Sequence, residues 1–345
     1  MTASPRALAP PPDRPGPVPR GIRWVRWAAW APVATLAVVL YLVPLPVFVL
    51  SPGPARDVVP LIRLDGPQVY PPTGHYLLTT VAFDEPNAYT ALGAWLDPAR
   101  SVVPEDEVLG PGGDREEFDR QSRLQMDSSQ ITAAVVALTD QTGYPEEHGP
   151  GALVESILEG SPADGKLFPG DVILEVQGQE VDGPDDVGRR VRAAPPGAPL
   201  TFTVRTEDGT EDVAITPGPV PGVDRPAIGI SLVPNFPFPL RIQSGGVGGP
   251  SAGLMWTLGL IDLLSPADLT GGRTVAGTGE ILPDGTVGPI GGVEEKVVGA
   301  RKAGAQVFLV PRENAEAARR LAGDLVVVPV STYRDALRYL ERTAP

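Results

Sequence analysis

A chain of 345 residues has room for two or three domains. Its formal net charge of −14 argues against a nucleic-acid partner, whose phosphates need a basic surface. Cysteine is absent, which rules out disulfides, a thiol nucleophile and thiolate metal sites.

Residues 1–26 are rich in proline and arginine and read as a disordered cytoplasmic segment. From Trp27 to Leu50 the chain then runs 24 residues without a charge, long enough for a helix to cross a bilayer. Trp24, Trp27, Trp30 and Tyr41 suit its interfaces, and Pro44 and Pro46 end or kink it on the far side. Arg6, Arg14, Arg20, Arg23 and Arg26 precede it, so the positive-inside tendency keeps the N-terminus in the cytoplasm. The expectation is a single pass of the cytoplasmic membrane at residues 27–50, with everything after Leu50 outside. A cleaved signal peptide is the competing reading. The apolar stretch is long for one, and Ser51-Pro52-Gly53-Pro54-Ala55 is a poor small-x-small cleavage site.

Residues 51–144 read as a separate extracytoplasmic α/β region. Leu61–Leu64 and His75–Phe83 have strand composition. Asn87–Leu96 reads as a short helix with Asp84 or Asn87 near its cap, and Glu116–Gln141 as a longer one. The carboxylates between Glu105 and Asp119 match no calcium loop and read as a solvated acidic surface. His75 stands alone and reads as structural, and two histidines without an H-E-x-x-H pair argue against a zinc protease. No metal or other cofactor is expected.

Residues 145–222 bring a new pattern. Ala152–Leu158 alternates like a strand, Glu159-Gly160-Ser161-Pro162 and Pro169-Gly170-Asp171 are turn chemistry, and Val172–Val176 is a buried strand. Pro184–Ala193 reads as a helix with Val187 and Val191 on one face, and Leu200–Thr206 with Glu211–Ile215 as a hairpin. The stretches Gly151–Ala163 and Leu167–Val176 resemble a PDZ domain of the bacterial, protease-associated kind. That resemblance implies peptide capture by strand addition. Gly151, Ala152, Leu153 and Val154 would offer the strand edge, Val187 and Val191 the wall, and Gly149 to Gly151 the hold on a terminal carboxylate. A PDZ fold serving only as lid or spacer is the alternative.

Residues 223–345 carry the chemistry. Ser251 sits in the glycine-rich turn Gly248-Gly249-Pro250-Ser251-Ala252-Gly253, ahead of an apolar helical run to Leu264. Serine is a useful nucleophile only if a base takes its proton. The only histidines, His75 and His148, lie far upstream of it. A lysine can serve if burial lowers its pKa; arginine cannot. Lys296, one of only three lysines, edges the apolar helix face of Val293, Val297, Ala300 and Ala303, while Glu294, Glu295, Arg301 and Lys302 fall on the rest. The spacing alone leaves open that Ser251 merely caps a helix and Lys296 snorkels from a core edge. Further on, Arg273–Gly277, Gln306–Val310 and Leu325–Val330 read as strands, Ile281–Ile290 as a hairpin, and Glu313–Leu321 and Thr332–Arg342 as helices.

Motifs in this half resemble the proteolytic domain of Lon-type serine proteases. They are Gly249–Gly253, Thr278-Gly279-Glu280-Ile281, Gly285 through Lys296, Ala303-Gly304 and Val310–Asn314. The resemblance implies Ser251 as nucleophile, Lys296 as general base and Thr278 as a hydroxyl that orients the lysine. Gly249, Pro250 and Ala252 would form the oxyanion and substrate loop at a helix N-terminus. It further implies a ring-shaped homo-oligomer, commonly of six subunits. Many relatives carry an acid three residues before the serine, where this chain has Gly248. No G-x-x-x-x-G-K-[ST] phosphate loop occurs in the sequence, so proteolysis is expected to need no ATP.

The whole reads as a multi-domain α+β protein. A transmembrane helix (27–50) leads through residues 51–144 to a PDZ domain (145–222) and a mixed-sheet protease domain (223–345). The expected function is a membrane-anchored serine endopeptidase acting on exported or membrane-associated proteins. The alternatives are a catalytically silent scaffold and an enzyme that cleaves itself at Ser51–Ala55.

Overall fold

The computed structural model describes residues 20–195 and 197–343, with side chains from Trp30 onward. Helix α1 covers Arg20–Leu42. Strands β1 (Val47–Asp57), β2 (Ile62–Leu64) and β3 (His75–Asp84), helix α2 (Ala88–Trp95), strand β4 (Ser101–Pro104), and helices α3 (Glu105–Leu109) and α4 (Arg115–Gln141) follow. A strand-rich run comes next: β5 (Gly149–Ile157), β6 (Val172–Val176), β7 (Gln179–Glu180), helix α5 (Pro184–Ala193), β8 (Leu200–Arg205), β9 (Thr210–Ile215), β10 (Gly218–Val220), β11 (Val223–Ala227) and β12 (Ile230–Asn235). The chain closes with β13 (Leu240–Ile242), α6 (Gly253–Leu264), β14 (Thr274–Gly277), β15 (Glu280–Ile281), β16 (Val287–Gly288), α7 (Val293–Lys302), β17 (Val307–Pro311), α8 (Ala315–Leu321), β18 (Val326–Val330) and α9 (Tyr333–Thr343).

Local reasoning places most of these elements. Helix α2 starts where Asn87 Oδ1 accepts from the Tyr89 and Thr90 N–H groups, the bonds an N-cap side chain is suited to make. Helix α5 opens on Pro184, which needs no N–H there.

The membrane-spanning expectation for residues 27–50 is corrected. Among the described residues, no helix is long and apolar enough to cross a membrane. Helix α1 stops at Leu42, just ahead of Pro44 and Pro46, and Val47 already enters β1, where Phe48 and Val49 are buried. The uncharged helical stretch Trp27–Leu42 is about 24 Å long at 1.5 Å per residue, against roughly 30 Å of hydrocarbon. The disordered segment expected at 1–26 lies, up to residue 19, outside the described residues. Ser51–Ala55, the stretch expected for self-cleavage, is not a free linker but forms the middle of β1.

Nor are residues 51–144 a region apart. One six-stranded mixed sheet runs β18-β17-β14-β3-β1-β4. β3 pairs antiparallel with β1 and parallel with β14, and β17 lies parallel to both β14 and β18. Strands from both ends of the chain thus make a single body. Its period-2 alternation fills two layers. Tyr76, Leu78, Val275 and Leu309 pack on one side with buried residues of α4, α6 and α9. Leu77, Ala276, Phe308 and Val310 pack on the other with those of α7 and α8.

The β-rich domain is inserted between α4 and β13. Its sheet runs β12-β5-β6-β8-β9, with a core of its own. β12 belongs to that sheet, so the expected boundary at residue 222 moves past Asn235. Glu155 ties the insertion to α4: its carbonyl accepts from Ser128 Oγ at 2.5 Å and its carboxylate from Thr132 Oγ1 at 2.9 Å.

Because β1 lies between β3 and β4, removing residues 1–57 should leave a chain with no cooperative melt by circular dichroism. Removing only residues 1–43 should preserve one.

Candidate active site

The site forms at the carboxyl end of β14, where the two helical layers meet. Gly277 ends that strand; a Cβ there would come within 2.6 Å of Met255 Sδ and 2.9 Å of the Leu309 carbonyl. Only glycine lets α6 press this close to the sheet. Thr278 follows, fully buried.

Ser251 lies in a single 3-10 turn, Pro250–Ala252, which runs directly into α6. Gly249 before it has φ +82°, a conformation glycine adopts without strain. Gly253 N–H bonds the Pro250 carbonyl, so the Ser251 and Ala252 N–H groups precede the first helical bond. Two bonds to the segment after β14 hold the turn: Gly279 N–H to the Ser251 carbonyl at 2.8 Å, and Leu254 N–H to the Gly279 carbonyl at 3.0 Å. Helix α4 holds it from the other side, through Gly249 N–H to the Ser122 carbonyl at 2.7 Å and Ser129 Oγ to the Pro250 carbonyl at 2.9 Å.

Helix α7 delivers Lys296. The preceding turn is clamped by Asn314, whose Oδ1 accepts from Ile290 N–H and whose Nδ2 donates to the Ile290 carbonyl, both at 2.9 Å. Gly299 packs against the backbone of β1, with room for no Cβ beside the Gly53 carbonyl at 2.9 Å. Lys296 Nζ ends 2.7 Å from Ser251 Oγ and 3.3 Å from Thr278 Oγ1. Thr278 Oγ1 in turn donates to the Ser251 carbonyl at 3.0 Å. With the amine neutral these bonds form one consistent set: Ser251 O–H donates to the Nζ lone pair, Nζ–H to Thr278, and Thr278 O–H to the Ser251 carbonyl.

Lys296 is 5% exposed, and this burial pushes its pKa down from the usual lysine range to about 8. The nearby Glu295 carboxylate opposes the shift. Glu295 was expected on the solvated side of α7, yet it is 2% exposed and accepts a 2.6 Å bond from Ser101 Oγ. The sequence offered no signal for this, because its partner lies 194 residues away on β4.

Gly248 lies against α4. A Cβ there would approach Ser122 Cβ to 2.9 Å, so α4 occupies that space.

The expected peptide groove is corrected. β5, which carries Gly151, Ala152, Leu153 and Val154, has β6 on one side and β12 on the other, so it has no free edge. Leu153 pairs with Val233 and Ala152 with Pro234. Gly149 pairs with Asn235, whose Nδ2 donates to the Pro150 carbonyl at 2.8 Å, so Gly149–Gly151 form no open carboxylate loop. Val187 is sealed in the domain core; Val191 packs beside it with Ile230 and Leu232 of β12. The free edge next to α5 therefore belongs to β12. The alternation of Ile228, Ile230 and Leu232 could have flagged a strand, but not its place in the sheet.

Residues 242–340 match the family described as the Lon protease (S16) C-terminal proteolytic domain, and residues 153–206 match the PDZ domain family. Over residues 242–340 the chain is similar to a Lon-type proteolytic domain. Lon protease of Chloroflexus aggregans is 40% identical over 105 residues, which are 29% of this chain and 12% of that protein. Lon protease 2 of Bacillus subtilis is 34% identical over 103 residues, 30% of this chain and 17% of that protein. The match thus spans less than a fifth of either relative. Among solved structures, the PDZ domain of an SdrC-like protein from Listeria innocua is 26% identical and covers 24% of this chain and 92% of its own, at a TM-score of 0.23.

Nitrogen-15 NMR of the Lys296 side chain should give a titration midpoint near 8. Glu295→Gln should move that midpoint down, because it removes a carboxylate charge that favours the ammonium form. Asn314→Ala strands two backbone groups of Ile290 and should cost about 1–3 kcal/mol in a denaturant melt.

Proposed function

We propose that this chain is an ATP-independent serine endopeptidase working through a Ser251–Lys296 dyad. The observation that carries the reading is a neutralisable, buried lysine amine 2.7 Å from a serine hydroxyl at the start of a helix. Ser251 Oγ attacks the scissile carbonyl as its proton passes to Lys296 Nζ. The Ser251 and Ala252 N–H groups face the developing oxyanion. The tetrahedral intermediate collapses to an acyl-enzyme, Nζ returns the proton to the leaving amine, and a water activated by the same amine releases the acyl group. Thr278 keeps the lysine amine directed at Oγ. Gly249 and Pro250 shape the approach for the substrate backbone.

The inserted PDZ domain would recruit an extended segment of the substrate along the free edge of β12, with α5 as the wall. On this reading its substrates are exported or membrane-associated proteins. Membrane attachment through the apolar side chains of α1 would place enzyme and substrate on one surface and raise their effective concentration. The same proposal sets the catalytic body outside the cytoplasmic membrane and takes up the ring of six subunits that Lon-type proteases imply.

Cleavage of casein or a fluorogenic peptide without ATP tests the dyad. Ser251→Ala and Lys296→Ala should each lower kcat/KM at least about 1000-fold with the melt unchanged, since nucleophile and base act as a unit. Full activity in either variant would overturn the mechanism. The free-base form of Lys296 does the work, so kcat/KM should rise with pH through about 8. Lys296→Arg should not restore activity at any pH, because arginine keeps its proton.

A further inference from the structure

Helix α2 is inverted relative to an ordinary surface helix. Its small residues Ala91 and Ala94 face the protein and are buried. Its large ones face outward: Tyr89 is 49% exposed, Leu92 58%, Trp95 74%, and Leu96 at the helix end 69%. Residues 88–96 contain no charged side chain. In water this arrangement is unfavourable, and large exposed apolar patches mark an interaction surface.

The patch does not stand alone. Tyr89 Oη donates to the Ala37 carbonyl of α1 at 3.3 Å, which sets α2 beside the last turns of that helix. There α1 exposes Leu36, Val39, Leu40 and Leu42, so the apolar surface continues from one helix to the other. The residue types choose the occupant. Tyrosine and tryptophan rings with an apolar body and a polar tip belong at the boundary of headgroups and acyl chains, and the two leucines belong just below it.

We propose that α2 is an interfacial helix whose face of Tyr89, Leu92, Trp95 and Leu96 lies in the outer boundary of a phospholipid bilayer alongside α1. It deepens the membrane attachment proposed above by giving the catalytic body a second foothold. That foothold fixes the orientation of the body as well as its distance from the lipid.

The chain has no cysteine, so Trp95→Cys creates a single labelling point on the full chain. A nitroxide there, with the protein in phosphatidylcholine vesicles, reads local polarity by collision with oxygen or with a water-soluble nickel chelate. Arg192→Cys, on the exposed side of α5, is the aqueous control. The expected oxygen-to-nickel ratio at position 95 exceeds the control at least about threefold and survives high salt, as apolar burial should. Equal ratios at the two positions would overturn the proposal. So would low collision with both reagents together with label–label broadening that unlabelled protein dilutes away, since a second copy would then cover the patch. Neither readout depends on proteolysis, so loss of the dyad mechanism and loss of this surface are told apart.

Discussion

Burying an amine beside a hydroxyl is the constraint to which the rest of the fold answers. A lysine ammonium in this setting is short of water, and its neutral form gains by contrast. The cost is acceptable only if the amine is held where its lone pair has use. Three separated segments converge to do this: the turn before α6, the end of β14 and the second turn of α7. Asn314 fixes the last, Thr278 and Gly279 fix the first, and glycines at 277 and 299 let helix and sheet approach closely enough for the three to meet. Glu295, buried beside the lysine and bonded to Ser101, keeps the amine from drifting so low in pKa that it would be a poor base.

Much of this was legible in the sequence, though unevenly. Local chemistry marks local structure: α5 occupies Pro184–Ala193 as its proline and apolar pair require, and Asn87 caps α2. The nearness of Ser251 and Lys296 follows from no spacing rule. Only the order of several motifs pointed to it. Two errors share one cause. Val47–Leu50 continue the apolar composition of α1, so they read as helix, and only their pairing with β3 and β4 makes them strand. Likewise nothing local marks the seat of β12 beside β5, which depends on long-range register. Composition describes a segment's preference for burial and stays silent on which neighbour provides it.

The insertion changes how the two halves relate. The chain enters the PDZ sheet through β5 and leaves through β12, its immediate neighbour, so both connections sit at one end of the domain. The sheet of the catalytic body, by contrast, is assembled from strands on either side of the insertion. β3 and β14, which pair directly, are separated by the whole PDZ domain in sequence. The catalytic body therefore cannot close its sheet until the chain beyond the insertion has been made.

Helix α4 is one continuous rod of 27 residues, about 40 Å from end to end. Near its middle it holds the Gly249 N–H and the Pro250 carbonyl through Ser122 and Ser129; within a turn of Ser129 it grips Glu155 through Ser128 and Thr132. Glu155 also accepts from Ser231 Oγ on β12 at 2.9 Å. A pull on that outer strand has a short, stiff linkage to the loop that carries the nucleophile. The domain that would hold a substrate and the loop that would cut it hang from the same beam, so tension in a captured chain would be transmitted to the nucleophile's backbone.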